Sequence, residues 1–261
     1  MQKKPNRQFS FKRWAAPYYL SVGVFLLFLV AWEGLAWAIG KSFILPAPTQ
    51  IAVRLWELRQ TLLAVHLPST VLIILVGLLL SIIGGVGLAA WMSWSKTAER
   101  AFYPLLIASQ TIPIIALAPI FVLWFGYSIW SKVAVTVLIS FFPITVNTFD
   151  GFNSVSKELR ELLKTMGASR KDLFFKLAIP SALPSFFSGL RVAVTLSVIG
   201  AAIGEWLGAQ KGLGYFSRRM MTQFDGAGVF APIVLLSFTG ILLFVFVMIV
   251  EKSILKWRNA K

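Results

Sequence analysis

The sequence predicts an all-α membrane protein with six transmembrane helices. Three observations carry that prediction: an apolar composition, a series of long charge-free intervals, and an uneven split of Lys and Arg between alternate loops. Of the 261 residues, 57% are hydrophobic and 13% charged, with a mean hydropathy of +0.78, so lipid is the expected solvent for most of the chain. The net charge of +15 would suit either nucleic acid or an anionic membrane surface. Hydropathy selects the membrane, and no nucleic-acid partner is expected.

The spans follow in order. "MQKKPNRQFSFKRW" places five basic residues ahead of a 22-residue apolar run, Tyr18 to Ile39. That run is too long for a signal-peptide core and continues into further spans, so it reads as a retained first helix, 18–39. Gln60 to Ser95 contains no Asp, Glu, Lys or Arg and holds span two at 68–92. Ala101 to Ser131 holds span three at 104–124, and the interval around Val133 to Phe149 gives span four at 131–149. Span five, 187–207, lies in a stretch broken only by Arg191 and Glu205, and Gly226 to Val250 holds span six at 231–250.

Six spans put both termini on one side, with the loops at 93–103 and 150–186. That side holds 17 of the 25 Lys and Arg residues and the other side seven, with Arg191 near the start of span five. Cytoplasmic loops carry the excess, so both termini are expected in the cytoplasm. The expected organisation is a cytoplasmic tail at 1–17, a transmembrane domain at 18–250 with a cytoplasmic loop at 153–185, and a cytoplasmic tail at 251–261.

Several intramembrane positions invite a functional reading beside a structural one. Pro113 and Pro119 are expected to interrupt span three, and Pro143 and Asn147 span four, releasing backbone groups toward a cavity. Ser109, Gln110, Thr111, Thr145, Asn147 and Thr148 could line that translocation path, or could bond between helices. Gly200, Gly204, Gly208 and Gly212 form a small-residue ridge suited to close packing at a pore or dimer seam, or give local flexibility around a loop. Glu33 and Glu205 are intramembrane carboxylates, functional candidates by default. Their structural alternative is a Trp or Ser partner on a neighbouring helix, or simply a position near the outer interface, which costs less than one at the midplane. Arg191 is expected to snorkel, and His66 carries no assigned role.

The loop "ELLKTMGASRKDLFFKLAIPSALP" is the longest basic amphipathic segment. Leu159, Leu162, Leu163 and Met166 are spaced for one helical face. Gly167 reads as a helix C-terminal glycine, and Ser169 with Asp172 as a shortened capping box opening a second short helix. That helix should show Leu173, Phe174 and Leu177 on one side and Arg170, Lys171 and Lys176 on another, until Pro180 and Pro184 end or bend it. Such a segment either lies on anionic lipid or docks into another protein.

The pattern Glu161-Leu162-Leu163, three residues, Gly167, nine residues, then Leu177-Ala178-Ile179-Pro180 resembles the signature of membrane subunits of binding-protein-dependent ABC importers. That signature reads Glu-Ala-Ala, three residues, Gly, nine residues, Ile-x-Leu-Pro. Glu161, Gly167 and Pro180 match, whereas leucines replace the alanines and the aliphatics are exchanged. "LIASQTIPIIALAPIFVLWFG", "PITVNTFDGF" and "GEWLGAQKGLGYF" are similar to segments of the nitrate, sulfonate, taurine and thiamine-precursor pyrimidine branch. The resemblance implies a type I importer permease fold with a cytoplasmic coupling helix, in the plasma (inner) membrane of a bacterium. It further implies a homodimer, two copies of a cytoplasmic ATPase that binds ATP and Mg, and a periplasmic or extracellular solute-binding protein. Glu161, Gly167, Ala168, Arg170, Lys171, Leu173, Phe174 and Pro180 would form the coupling element, with Leu173 and Phe174 as anchors in the ATPase cleft. Gly204, Glu205 and "GAQKGLGYF" would lie along the translocation path and form its external gate.

Other chemistry finds little support. No Cys is present and His66 is the single histidine, so thiolate, iron-sulfur and His-pair metal sites are excluded and no metal is expected. "IGKSF" ends like a phosphate-binding loop, but the required earlier glycine position is Leu35, so no cofactor is expected on this chain. No His-Glu-x-x-His or Gly-x-Ser-x-Gly motif suggests an enzyme. The remaining rival is an ATPase-independent secondary transporter or channel. It should carry more ionisable groups at mid-membrane than Glu33 and Glu205.

Overall fold

The computed structural model describes residues 19–256. The predicted tail at 1–17 and residues 257–261 lie outside them. Among the described residues nine helices follow in order: α1 (Tyr19–Ile39), α2 (Pro48–Trp94), α3 (Lys96–Ser109), α4 (Ile114–Phe125), α5 (Ile129–Asn153), α6 (Lys157–Thr165), α7 (Arg170–Gly208), α8 (Leu213–Thr222) and α9 (Gly226–Ile254). Five are long and apolar enough to cross a bilayer, or six if α3 and α4 count as one broken span. The described residues contain no strand.

Two boundaries depart from the sequence reading for one reason. α2 begins twenty residues before the expected span, and α7 starts at Arg170 rather than near 187. Pro180 was expected to end or bend the helix of the loop, since proline lacks an N–H and crowds the preceding turn, and Pro68 presents the same obstacle in α2. Instead each proline follows a π-helical turn: Leu62–His66 before Pro68, and Leu173–Ala178 before Pro180. In these turns Leu67 N donates to Leu62 O and Ile179 N to Phe174 O, five residues back. The wider turn absorbs the missing donor, so the helix runs on. Pro143 likewise lies inside an unbroken α5. The break in span three occurs at residues 110–113, where α3 and α4 meet at 104°, whereas Pro119, also expected to interrupt it, lies inside α4.

α5 is the centre of the fold, packed against α7 on one side and α2 on the other. Glycines make both seams close. A methyl group added at Gly200 would stand 2.9 Å from Thr136 Cα, and one at Gly204 2.9 Å from Lys132 Cα. Gly77 of α2 lies against the Thr136 side chain from the opposite side, so Thr136 is wedged between two glycines. The ridge expected at a pore or dimer seam therefore packs within the subunit, where dispersion rather than the hydrophobic effect must hold helices together.

α1 is peripheral, with Ala36 its sole buried residue, and polar staples hold it. Glu33 accepts from Trp37 Nε1 at 2.8 Å, from Thr49 Oγ1 at 2.6 Å and from Thr49 N at 3.1 Å. Its carboxylate thus sits at the N-terminus of α2, where a negative charge is stabilised. The structural reading of Glu33 is the one realised. Arg191, expected to snorkel, is instead 3.5 Å from Glu251 of α9.

Candidate functional site

The loop joining α5 to α7 is built by local capping. Ser156 Oγ accepts from Leu159 N and starts α6. At its end, Gly167 N donates to Lys164 O at 2.9 Å and Ala168 N to Leu163 O at 3.0 Å. Gly167 takes φ +84, so this is a Schellman ending that glycine adopts without steric cost. Ser169 and Asp172 form the reciprocal capping box expected from sequence: Asp172 N donates to Ser169 Oγ at 3.1 Å and Ser169 N to Asp172 Oδ2 at 3.2 Å. A hinge and a cap therefore set the angle at which α7 leaves the loop, and α7 carries that angle into the membrane without a joint.

The loop has two faces. Outward stand Leu159, Leu162, Met166 and Phe175, with Met166 74% and Phe175 62% exposed. Glu161, Gly167 and Lys171 are also exposed, while Ala168, Leu173 and Pro180 are half-buried. Phe174, expected as a docking anchor, turns inward. Its ring lies 5.5 Å from Trp94 and 5.4 Å from Phe152, in an apolar cluster with Met92, Phe149 and Ala182. Phe174 fastens the loop to its own subunit, and Phe175, which sequence reasoning passed over, holds the exposed position. Two adjacent phenylalanines on a helix necessarily point in different directions, and only the packing decides which is outside.

The candidate path residues do not converge. Ser109, Gln110 and Thr111 gather at the elbow between α3 and α4, where Ser109 Oγ donates to Leu106 O and Thr111 Oγ1 to Ala108 O. Thr145, Asn147 and Thr148 donate to carbonyls four residues back in α5, at 2.8, 2.8 and 2.6 Å. Thr145 and Thr148 are buried, and Asn147 packs under Gly189. The hydrogen bonds these three side chains make run along α5 rather than between helices.

Glu205 and Gly204 belong to a different arrangement. Gly204 lies on Lys132, whose Nζ donates to Tyr127 O and Ser128 O at 2.8 Å each. Glu205 is fully buried; its Oε1 accepts from Thr70 Oγ1 and its Oε2 from Gly214 N, both at 2.7 Å. Thr70 Oγ1 also accepts from Leu213 N at 2.8 Å, and His66 Nδ1 from Gly212 N at 3.1 Å. Gly212, at φ +121, has no room for a Cβ beside the Glu205 carboxylate. The turn between α7 and α8, expected as a gate, is thus bonded by three consecutive N–H groups to α2 and Glu205. The signal missed in the sequence was His66 and Thr70, four apart and so on one helical face.

A cavity of about 780 Å³ opens between α7 and α9, bordered by Ile115 of α4 and including Ile199, Trp206, Leu207, Ile233 and Phe244. Its lining is almost wholly apolar. Among the described residues no group of three or more His, Asp or Glu side chains could hold a metal ion.

Residues 85–256 match the family described as binding-protein-dependent transport system inner membrane component. The chain is 61% identical over 235 residues to the formylaminopyrimidine transport permease protein ThiX of Halalkalibacterium halodurans, covering 90% of this chain and 94% of that protein. It is 35% identical to the riboflavin transport system permease protein RibX of Chloroflexus aurantiacus, over 89% and 87% of the two chains. A putative aliphatic sulfonates transport permease protein SsuC of Bacillus subtilis is 31% identical, over 84% and 80%. The chain therefore belongs to the binding-protein-dependent transport system inner membrane component family: it is a non-catalytic, membrane-spanning permease of an ABC importer for a small solute, whose ATP is hydrolysed on a partner subunit.

Proposed function

We propose that this permease imports a formylaminopyrimidine-type precursor of the thiamine pyrimidine, delivered by an external binding protein. The identity of 61% to a formylaminopyrimidine permease along nearly the full length of both chains carries that reading. Sulfonate, taurine and nitrate solutes rank behind it, since the sulfonate relative matches at half that identity.

In this reading the termini and the 153–185 loop are cytoplasmic, as the distribution of Lys and Arg favours. The tails would be 1–17 and 251–261, flanking the transmembrane domain. The outer face of the loop, Leu159, Leu162, Met166, Lys171 and Phe175, docks into the ATPase, with Glu161, Gly167 and Ala168 shaping that surface and Arg170 on the inner side of the loop. Leu173, Phe174 and Pro180 fix it to the membrane body. ATP and Mg bind to the ATPase, and this chain binds no cofactor. Two copies of the permease with two ATPases complete the transporter, the apolar groove between α7 and α9 packing against the second copy. Closure of the ATPases would then swing both loops and open the path outward. Coupling requires that nucleotide and solute favour different states.

Uptake of labelled formylaminopyrimidine by cells expressing the permease, its ATPase and its binding protein tests this. Uptake should vanish on deletion of the ATPase. Persistence without the ATPase would instead identify a secondary transporter or channel, and uptake of an aliphatic sulfonate in preference would reassign the solute.

A further inference from the structure

Behind the coupling loop lies a second cavity, of about 350 Å³, between the end of α2, the start of α3 and the inner face of the loop. Its floor is apolar and aromatic, made by Trp94, Phe174 and Leu177, and its rim is basic, made by Arg160, Lys164 and Arg170. Among the described residues none of these three cations pairs with a carboxylate, although Lys96 beside them pairs with Glu99 and Lys176 with Asp172. Three uncompensated cations around an oily floor fit a ligand that is anionic at one end and apolar at the other.

We propose that this cavity binds the phosphodiester headgroup of an anionic phospholipid. Depth supports a lipid. Trp91 and Trp94, both more than half exposed at the end of α2, mark the level where indole rings sit among headgroups. Basic pockets between helices at the cytoplasmic interface are where anionic headgroups are held. Separation from the ATPase face supports it too. Arg160 and Lys164 are four apart and lie to one side of the stripe formed by Leu159, Leu162 and Met166, and Phe174 faces the cavity while Phe175 faces away. One loop can then hold lipid behind and ATPase in front, and the lipid would brace the loop against the membrane body. The site rests on the orientation proposed above.

The test uses the intact transporter, permease with ATPase, in phosphatidylcholine nanodiscs containing a fluorescent phosphatidylglycerol probe. Arg160→Gln/Lys164→Gln should weaken probe binding about twenty-five-fold, about fivefold for each basic side chain. Lys157→Gln/Lys252→Gln removes the same charge outside the cavity and should leave probe binding unchanged, and Arg160→Lys/Lys164→Arg should retain it. Equal binding by wild type and Arg160→Gln/Lys164→Gln overturns the assignment. So does release of the probe when ATPase is added to permease alone, which would make the cavity part of the protein interface, or release by inorganic phosphate, which would make it a soluble-anion site. Co-purification of the ATPase is read separately, so failure of the docking face leaves the lipid result standing.

Discussion

Thr70 and Glu205, 135 residues apart in sequence, meet through a 2.7 Å hydrogen bond in which the buried hydroxyl donates to the carboxylate. The same hydroxyl accepts from Leu213 N and the same carboxylate from Gly214 N. One pair of side chains thus fixes the turn that links α7 to α8 against the wall of α2.

Removing either partner should orphan a buried group. Thr70→Val leaves Leu213 N and one carboxylate oxygen unsatisfied, at about 1–3 kcal/mol for each lost partner. The expected outcome is a lower thermal midpoint for the detergent-solubilised permease and faster proteolysis within 209–214. Glu205→Gln, which keeps an acceptor oxygen, should fall between wild type and Glu205→Ala. A Thr70→Val midpoint equal to wild type would show that the turn is held by other contacts.

Glycine substitutions separate the packed seam from the lipid-facing surface. Gly200→Ala and Gly204→Ala push a methyl group against the α5 backbone and should each destabilise by roughly 1–3 kcal/mol, as overpacking does. Gly34→Ala and Gly87→Ala meet nothing within 4 Å and should be neutral or stabilising by about 0.5–1 kcal/mol. Thermal unfolding in a single detergent reads all four, and the prediction fails if the two pairs behave alike.

At the loop, the two phenylalanines should dissociate stability from docking. Phe175→Glu is expected to abolish ATPase co-purification and uptake while leaving the thermal midpoint within error. Phe174→Ala removes a half-buried ring from the contact with Trp94 and Phe152, and should lower stability by up to about 3 kcal/mol. Loss of ATPase binding by Phe174→Ala at unchanged stability would reverse the two roles.

Gly167→Val places a β-branched residue at φ +84, which costs on the order of 1–2 kcal/mol and should redirect α7 at its root. Membrane insertion should survive, since no span is touched, and transport per molecule should fall at least tenfold. Wild-type uptake by this variant would mean that the angle between α6 and α7 is not transmitted.

The sequence by itself determined the membrane class, the order of the helices and the capping of the loop. These depend on composition and on contacts within a few residues: charge-free runs for the spans, Gly167 for the left-handed ending, Ser169 with Asp172 for the cap. Helix continuity through Pro68 and Pro180 was not legible, because proline's local cost can be absorbed by a π turn whose tolerance depends on what packs around it; Pro143 lies inside α5 with no such turn. The roles of Phe174 and Phe175 were likewise left to the tertiary structure, since both are apolar and adjacent. So were the internal burial of the glycine ridge against Thr136 and Lys132, and the meeting of Glu205 with Thr70. Each is a contact between segments more than sixty residues apart, and in lipid such contacts are chosen by shape and hydrogen bonding, which hydrophobic periodicity does not record.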